Sequence, residues 1–388
     1  MDRRALLRLA ATGVGTAVLC GTSWQSAVAT TAQPGRGPYG PLRAPDSNGV
    51  ALPAGFSSRV VARSREIVPG TGLSWHDAPD GGACFPAGNG WIYVSNSETM
   101  LNGGASALRF DAAGTIISAS RILRRTNANC AGGATPWGTW LSCEEYAFGR
   151  VHETWPDGSR PAVARPAMGR FTHEAAACDP DRQVVYLTED RRDGCFYRFR
   201  PTRWGDLSDG TLEVLRAPAD AVSGPVTWAL VPDPDGFPRA TRRQADGART
   251  FNGGEGCYYT AGRCLFTTKG DNRIWAYDAV GEQIALLHDP EAVPRGGLTM
   301  AGADNITGSA LGDLFVAEDR PGPALNLITP DGTFSRFLQL PGHRESEITG
   351  PAFSPDGRRL YVSSQRGTQG RSRAGVTFEI TGPFRRHL

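Results

Sequence analysis

The chain has 388 residues, 40% of them hydrophobic, with 49 Gly and 28 Pro; it is long enough for a core and too rich in backbone breakers for long helices, which points to an all-β protein. A formal charge of +2 with no basic run excludes an electrostatic nucleic-acid binder. No apolar stretch beyond the N-terminus is long enough for a transmembrane helix.

The chain opens with Asp2-Arg3-Arg4-Ala5-Leu6-Leu7-Arg8, an apolar stretch from Leu9 to Leu19, and the small-residue signature Ala27-Val28-Ala29. This predicts a twin-arginine export signal over residues 1–29 and a secreted or periplasmic mature protein. Proteins on that route cross already folded, which suits one that takes up its metal in the cytoplasm. The signal carries three Arg and one Asp, leaving the rest of the chain formally neutral. A Pro/Gly/Arg-rich segment, residues 30–45, is expected to be a linker, and residues 46–388 a single domain. Seven cysteines remain after the signal, an odd number that leaves at least one thiol free or ligating. Cys143 is the candidate for that thiol, and Cys257 and Cys264 have a spacing at which they could pair across a hairpin.

From His76 onward a pattern repeats: a polar lead-in, a short strand, a Gly/Pro/Asp-rich turn, and an apolar strand ending in Ser or Thr and an acid or amide. His76-Asp77 leads to Trp91–Glu98, Asn129-Cys130 to Thr139–Glu145, and His173-Glu174 to Val184–Asp190. Gly254-Glu255 leads to Cys264–Asn272, Asp304-Asn305 to Asp313–Asp319, and Glu347-Ile348-Thr349 to Arg359–Gln365. Third strands follow at Ala107–Asp111, Cys195–Phe199, Arg273–Asp278 and Ala324–Ile328. Such units predict a six-bladed β-propeller. The interval from Trp204 to Thr250 is either an insertion or a poorly formed seventh blade.

In a propeller the first strand of every blade lines the central channel. Asp77, Asn129, Glu174, Glu255, Asp304 and Glu347 are therefore expected at one channel mouth, where crowded carboxylates require cations. Cys143-Glu144 would add a thiolate and a further carboxylate, and soft sulfur beside hard oxygen suits more than one kind of metal. Lys269, Arg320 and Arg366 follow the channel-facing strands of the last three blades, as surface charges or as cations of the mouth. His173 and His76 are read as hydrogen-bonded structural residues. The sequence has no Gly-x-Ser-x-Gly elbow, no His-Glu-x-x-His pair and no phosphate-binding Gly-x-x-x-x-Gly-Lys loop.

Three stretches carry a resemblance: Asn129-Cys-Ala-Gly-Gly-Ala-Thr-Pro-Trp-Gly-Thr-Trp-Leu-Ser-Cys-Glu-Glu145, Gly169-Arg-Phe-Thr-His-Glu-Ala-Ala-Ala177 and Glu347-Ile-Thr-Gly-Pro-Ala-Phe-Ser-Pro-Asp-Gly357. Together they resemble the PhoX-type alkaline phosphatases, exported β-propeller enzymes that hydrolyse phosphate monoesters with an iron and calcium cluster. The resemblance implies metal ligation by Cys143, Glu144, Glu174, Glu255 and Asp304 and a small phosphate ester as substrate; Glu347 joins the metal candidates by its place at the mouth, Glu174, Glu255 and Arg366 are the catalytic candidates, and a monomer is expected. The chain departs from the family where Gly253-Gly254 replaces Arg-Pro and where Gln365-Arg366-Gly367 replaces Gln-His-Pro-Gly. A calcium-dependent lactonase or esterase, or an exported binding propeller, would use the same acids without a thiolate.

Overall fold

The computed structural model describes residues 31–385, and the expected export signal lies outside them. Every regular element among the described residues is a strand or a single turn of 3-10 helix, and no helix is long and apolar enough to cross a membrane.

Six sheets form six blades. Blade 1 contains Pro79–Ala87, Gly90–Ser97, Gly103–Phe110 and Ile116–Thr126, and blade 2 contains Asn129–Ala134, Trp140–Glu144, Val151–Thr154 and Val163–Ala164. Blade 3 starts with His173–Asp179 and Val184–Glu189, blade 4 with Gly254–Thr260 and Arg263–Thr268, and blade 5 with Ala303–Gly308 and Leu314–Glu318. Blade 6 joins Ile348–Phe353, Arg359–Ser364 and Val376–Thr381 to Ser57–Arg63 from the other end of the chain. That last pairing closes the ring with hydrogen bonds between distant segments, the N-terminal strand forming the outer edge of the blade.

The second strands are buried on both faces, as Val184–Glu189 and Leu314–Glu318 show, because each blade packs against two neighbours. They therefore read as continuous apolar runs rather than as alternating patterns. The core is divided accordingly, one apolar cluster filling each gap between adjacent blades. Phe85, Ile92 and Val94 meet Trp140 between blades 1 and 2, and Tyr186 and Phe196 meet Phe266 and Trp275 between blades 3 and 4.

Two expectations change. The segment expected as a linker is packed: Gln33–Pro34 runs parallel to Thr333–Phe334 on blade 5, and Tyr39 sits edge-on to Phe56 and Phe337. Its breakers make it an irregular cover, and its few apolar residues anchor it. The Trp204–Thr250 interval is an elaboration, with no seventh blade: Thr227–Leu230 extends blade 3, Ser223–Pro225 edges blade 4, and residues 233–243 fold back over the end of blade 3.

Candidate metal centre at the channel mouth

Each inner strand is irregular near its start, where two of its residues oppose one on the second strand. Such bulges re-aim side chains. The first bulge residue in blades 1 to 5 is Asp80, Cys130, Glu174, Glu255 and Asp304, each delivered into the channel. The second strand of every blade contributes the residue just past its end: Glu98, Glu145, Asp190, Lys269, Asp319 and Gln365. The backbone N–H of each donates to the inner strand of its own blade, as in Glu98 to Ala78 (3.0 Å) and Asp190 to Thr172 (3.1 Å). Blade 6 departs from the pattern. By the matching bond from Gln365 to Glu347 (3.2 Å), Thr349 occupies the position of Asp80, and Glu347 reaches the site from two residues earlier.

Four trios bring ligand atoms within 4.8 Å of one another and share members: Asp80, Glu98 and Cys130; Cys130, Glu145 and Glu174; Glu174, Glu255 and Asp304; Asp304, Asp319 and Glu347. They form one chain of eight carboxyl groups and a thiol around the mouth. Both oxygens of Glu174 are buried without a hydrogen-bond partner. Burial raises the Glu174 carboxyl well above its ordinary range, with Glu255, Glu145 and Asp304 adding to the effect. Asp80, Glu145, Glu255 and Glu347 are raised in the same way, by burial first. Two cations stand in this ring. Lys269 Nζ lies 3.2 Å from both Glu255 and Asp304 and 3.6 Å from Asp319, and Arg366 meets Glu347 at 2.6 Å. Burial opposes the charge on Lys269, but the surrounding carboxylates override it and hold the ammonium firmly protonated. Gln365 bridges Asp80 and Glu98, with 2.5 Å to each.

Eight carboxylates against two cationic side chains, with orphaned oxygens at the centre, make a donor set that fits multivalent cations. The all-oxygen trios suit a hard ion, and the thiol beside Glu145 and Glu174 suits a softer one.

Of the sequence-predicted residues, Glu174, Glu255, Asp304, Glu347, Lys269 and Arg366 meet here. Cys143 does not. It lies two residues before Glu145, at the position of Asn96, Thr188 and Thr267 in other blades, which cross to the next blade: Thr188 Oγ1 donates to the Glu255 carbonyl at 2.5 Å and Thr267 Oγ1 to that of Asp304 at 2.6 Å. Cys143 is fully buried there among Leu141, Met168, Ala176 and Leu187, and burial raises its thiol strongly, away from the thiolate form. The sulfur that stands among the acids of the mouth is that of Cys130. Glu144 also turns away, accepting from Asn127 N (2.8 Å) and Arg150 N (3.1 Å) and lying 3.2 Å from His152. Asp77 is paired with Arg65, and Asn129 bonds Thr126 and Ser142. Arg320 is held by Glu318 at 2.6 Å, outside the ring. Cys257 and Cys264 are free buried thiols with sulfurs 3.1 Å apart.

Asp80, Glu98, Cys130, Glu145 and Asp319 were missed, although all but Asp80 are the last residue of a run or lead-in that the repeat marks out. His173 is structural, as expected: it stacks on Phe171, its Nε2 lies 3.0 Å from the Gly169 carbonyl, and burial lowers its pKa to about 4. His76 contacts Ser106 and Ser95 at 2.9 and 3.3 Å.

Residues 87–160 and 147–280 match the family model for alkaline phosphatase PhoX. No curated protein sequence matches the chain. Among solved structures, PhoX of Pseudomonas fluorescens in complex with vanadate, a transition-state analogue, is similar with a TM-score of 0.70 at 18% identity, covering 87% of this chain and 97% of its own. A Bacteroides thetaiotaomicron protein of unknown function shares the fold with a TM-score of 0.52 at 8% identity, over 84% of this chain and 76% of its own.

Proposed function

This chain belongs to the PhoX family of alkaline phosphatases, and from that premise we propose that it hydrolyses small phosphate monoesters over iron and calcium ions held in the channel mouth. The observation that carries the reading is the continuous ring of eight carboxyl groups and the Cys130 thiol, lined with two cations. Cys130, Glu145 and Glu174 offer the mixed sulfur and oxygen set that suits iron. The trios Glu174, Glu255, Asp304 and Asp304, Asp319, Glu347 offer the oxygen-only sets that suit calcium.

Bound ions would supply Lewis-acid stabilisation of the phosphoryl group and a nucleophile active near neutral pH. The protein's own part is positional. Glu174 and Glu255 fix the donor geometry from inner strands of a rigid ring. Lys269 and Arg366 present fixed positive charge over the same space, where phosphoryl oxygens need it. That the similar Pseudomonas fluorescens enzyme holds vanadate supports this reading. His173, buried and neutral, serves to orient Glu174's strand rather than to move protons.

Export through the twin-arginine signal over residues 1–29 belongs to the same proposal, since a folded, metal-loaded protein is what that route carries. The test is metal analysis of protein exported by its own signal, followed by assays of phosphate monoesters and lactones before and after chelation. Iron with calcium, and ester turnover that chelation abolishes, is expected. Turnover of lactones alone would overturn the assignment.

A further inference from the structure

A cavity of about 210 Å³ opens beside the metal centre, between the ends of blades 2 and 3, lined by Phe148, Arg170, Thr172, Arg191, Phe237 and Arg242 among others. Three of its lining residues are close chain neighbours of residues in the site. Phe148 follows Glu145 by three residues, Thr172 precedes Glu174 by two and accepts from Asp190 N, and Arg191 is the neighbour of Asp190, whose carboxyl meets that of Glu145. The opposite wall is the returning segment that carries Phe237, from the elaboration within residues 204–250 that the sixfold repeat does not explain.

Phe148 is 59% and Phe237 71% exposed, so two aromatic rings stand in solvent at the mouth of a buried ionic site. The Arg170 guanidinium lies over the Phe148 ring, 5.5 Å from its centre. Arg242 is fixed by Glu189 at 2.9 Å and Asp193 at 3.0 Å. Arg191 is exposed and carries no side-chain partner among the described residues. Two apolar ring faces, a stacked cation and an unengaged planar donor are the components of a site for a flat ring with a polar edge. The volume is below the roughly 300–1,000 Å³ of pockets that engulf whole drug-sized ligands, so it takes one part of a substrate.

Resting on the phosphatase reading above, we propose that this cavity is the leaving-group subsite, and that the enzyme prefers phosphate monoesters whose alcohol carries an aromatic or heteroaromatic ring, such as aryl phosphates and nucleoside monophosphates. The phosphoryl group sits on the metal ring while the leaving group lies between Phe148 and Phe237, with Arg191 on its edge.

The test compares kcat/KM for phenyl phosphate, adenosine 5′-monophosphate and glycerol 3-phosphate in the metal-loaded full chain and in Phe148→Ala, Phe237→Ala and the double variant. The ratio of each ring-bearing ester to glycerol 3-phosphate is expected to fall roughly fivefold per ring removed. Phenylphosphonate should likewise lose its advantage over methylphosphonate as an inhibitor, a readout of binding without turnover. Ratios unchanged in a double variant that still turns over esters would overturn the subsite and leave the phosphatase reading standing. Native protein that is fully metal-loaded and turns over no phosphate ester would overturn both.

Discussion

Replacing Glu174 by Gln separates what the carboxylate does for the fold from what it does for the metals. Glu174 is fully buried, belongs to two of the four donor trios, and has no hydrogen-bond partner for either oxygen. Burial raises its carboxyl well above the ordinary range, and an ionised neighbour at about 4–5 Å adds roughly 3–4 kcal/mol of repulsion at an effective dielectric near 20. In the metal-free protein Gln has no proton to hold, so at pH values above the unfolded carboxyl range the variant escapes the penalty of about 1.4 kcal/mol per pH unit that the raised Glu174 carboxyl imposes on folding, and near neutral pH its stability should rise by about 1–3 kcal/mol. With metal the sign reverses. Loss of an outer-shell partner alone weakens metal sites by about 10–100-fold, and loss of a shared ligand should do at least as much. A hundredfold weaker site forfeits about 2.7 kcal/mol of ligand-linked stability. Calorimetric melting of Glu174→Gln with and without metal should therefore show a higher melting temperature than native when stripped, a smaller gain on loading, and turnover reduced in step with metal content. A variant less stable than native when stripped, yet with an undiminished metal-induced gain, would refute the reasoning.

Cys130→Ser should lose the softer metal and its activity while Cys143→Ser keeps both and loses only about 1–2 kcal/mol of packing, as metal analysis of the two purified variants will show. Lys269→Met should keep the metals and lower kcat/KM by about 10²-fold, with weaker inhibition by free phosphate, because it removes a charge set beside Glu255 and Asp304. The buried carboxyls of Asp80, Glu145, Glu174, Glu255 and Glu347 lie above their unfolded range, so the metal-free folded state binds more protons than the unfolded chain and loses stability as pH rises through those folded values. Stripped protein should therefore melt higher near pH 5 than near pH 8, and metal loading should cancel or invert that slope; a stripped protein that gains stability over this interval would contradict the placement of these acids.

The repeat made the ring of blades legible because each second strand is an apolar run closed by a polar residue, a pattern that survives the loss of sequence identity between blades. The outer strands were harder: those of blades 4 and 6 come partly from Ser223–Pro225 and Ser57–Arg63, remote in sequence from the strands they join. At the site the errors are small in sequence and large in space. Asn129 was chosen over Cys130, and Cys143 and Glu144 over Glu145, each a displacement of one or two residues. A slip of one residue turns a side chain to the other face of the blade, and the slip of two from Glu145 to Cys143 keeps the face but moves the side chain back from the mouth into the packing between blades. Part of the rule that repairs it stands in the better-placed members: Glu174 and Glu255 are each the second residue of their lead-in, which selects Cys130 over Asn129, whereas Asp304 is the first of its lead-in and Asp80 lies three residues past the His76-Asp77 pair.

The bulge explains why these residues reach the mouth. Where two inner-strand residues oppose one on the partner, the first turns its side chain up into the mouth, and the second faces the axis. That second position holds Gly81, Ala131, Ala175, Gly256, Asn305 and Gly350. A Cβ on Gly81 would fall 2.5 Å from the Ala131 Cα, and one on Gly256 2.7 Å from the Asn305 Cα. The inner strands thus close on each other beneath the carboxylates, leaving a void of about 40 Å³, room for one or two water molecules. One irregularity in the ladder therefore performs two tasks: it gathers the acids and it narrows the channel below them. Lys269 and Arg366 stand at the mouth above. The same cations that receive the ester also meet its phosphate on the way out, so phosphate should inhibit competitively, and more weakly once Lys269 is removed.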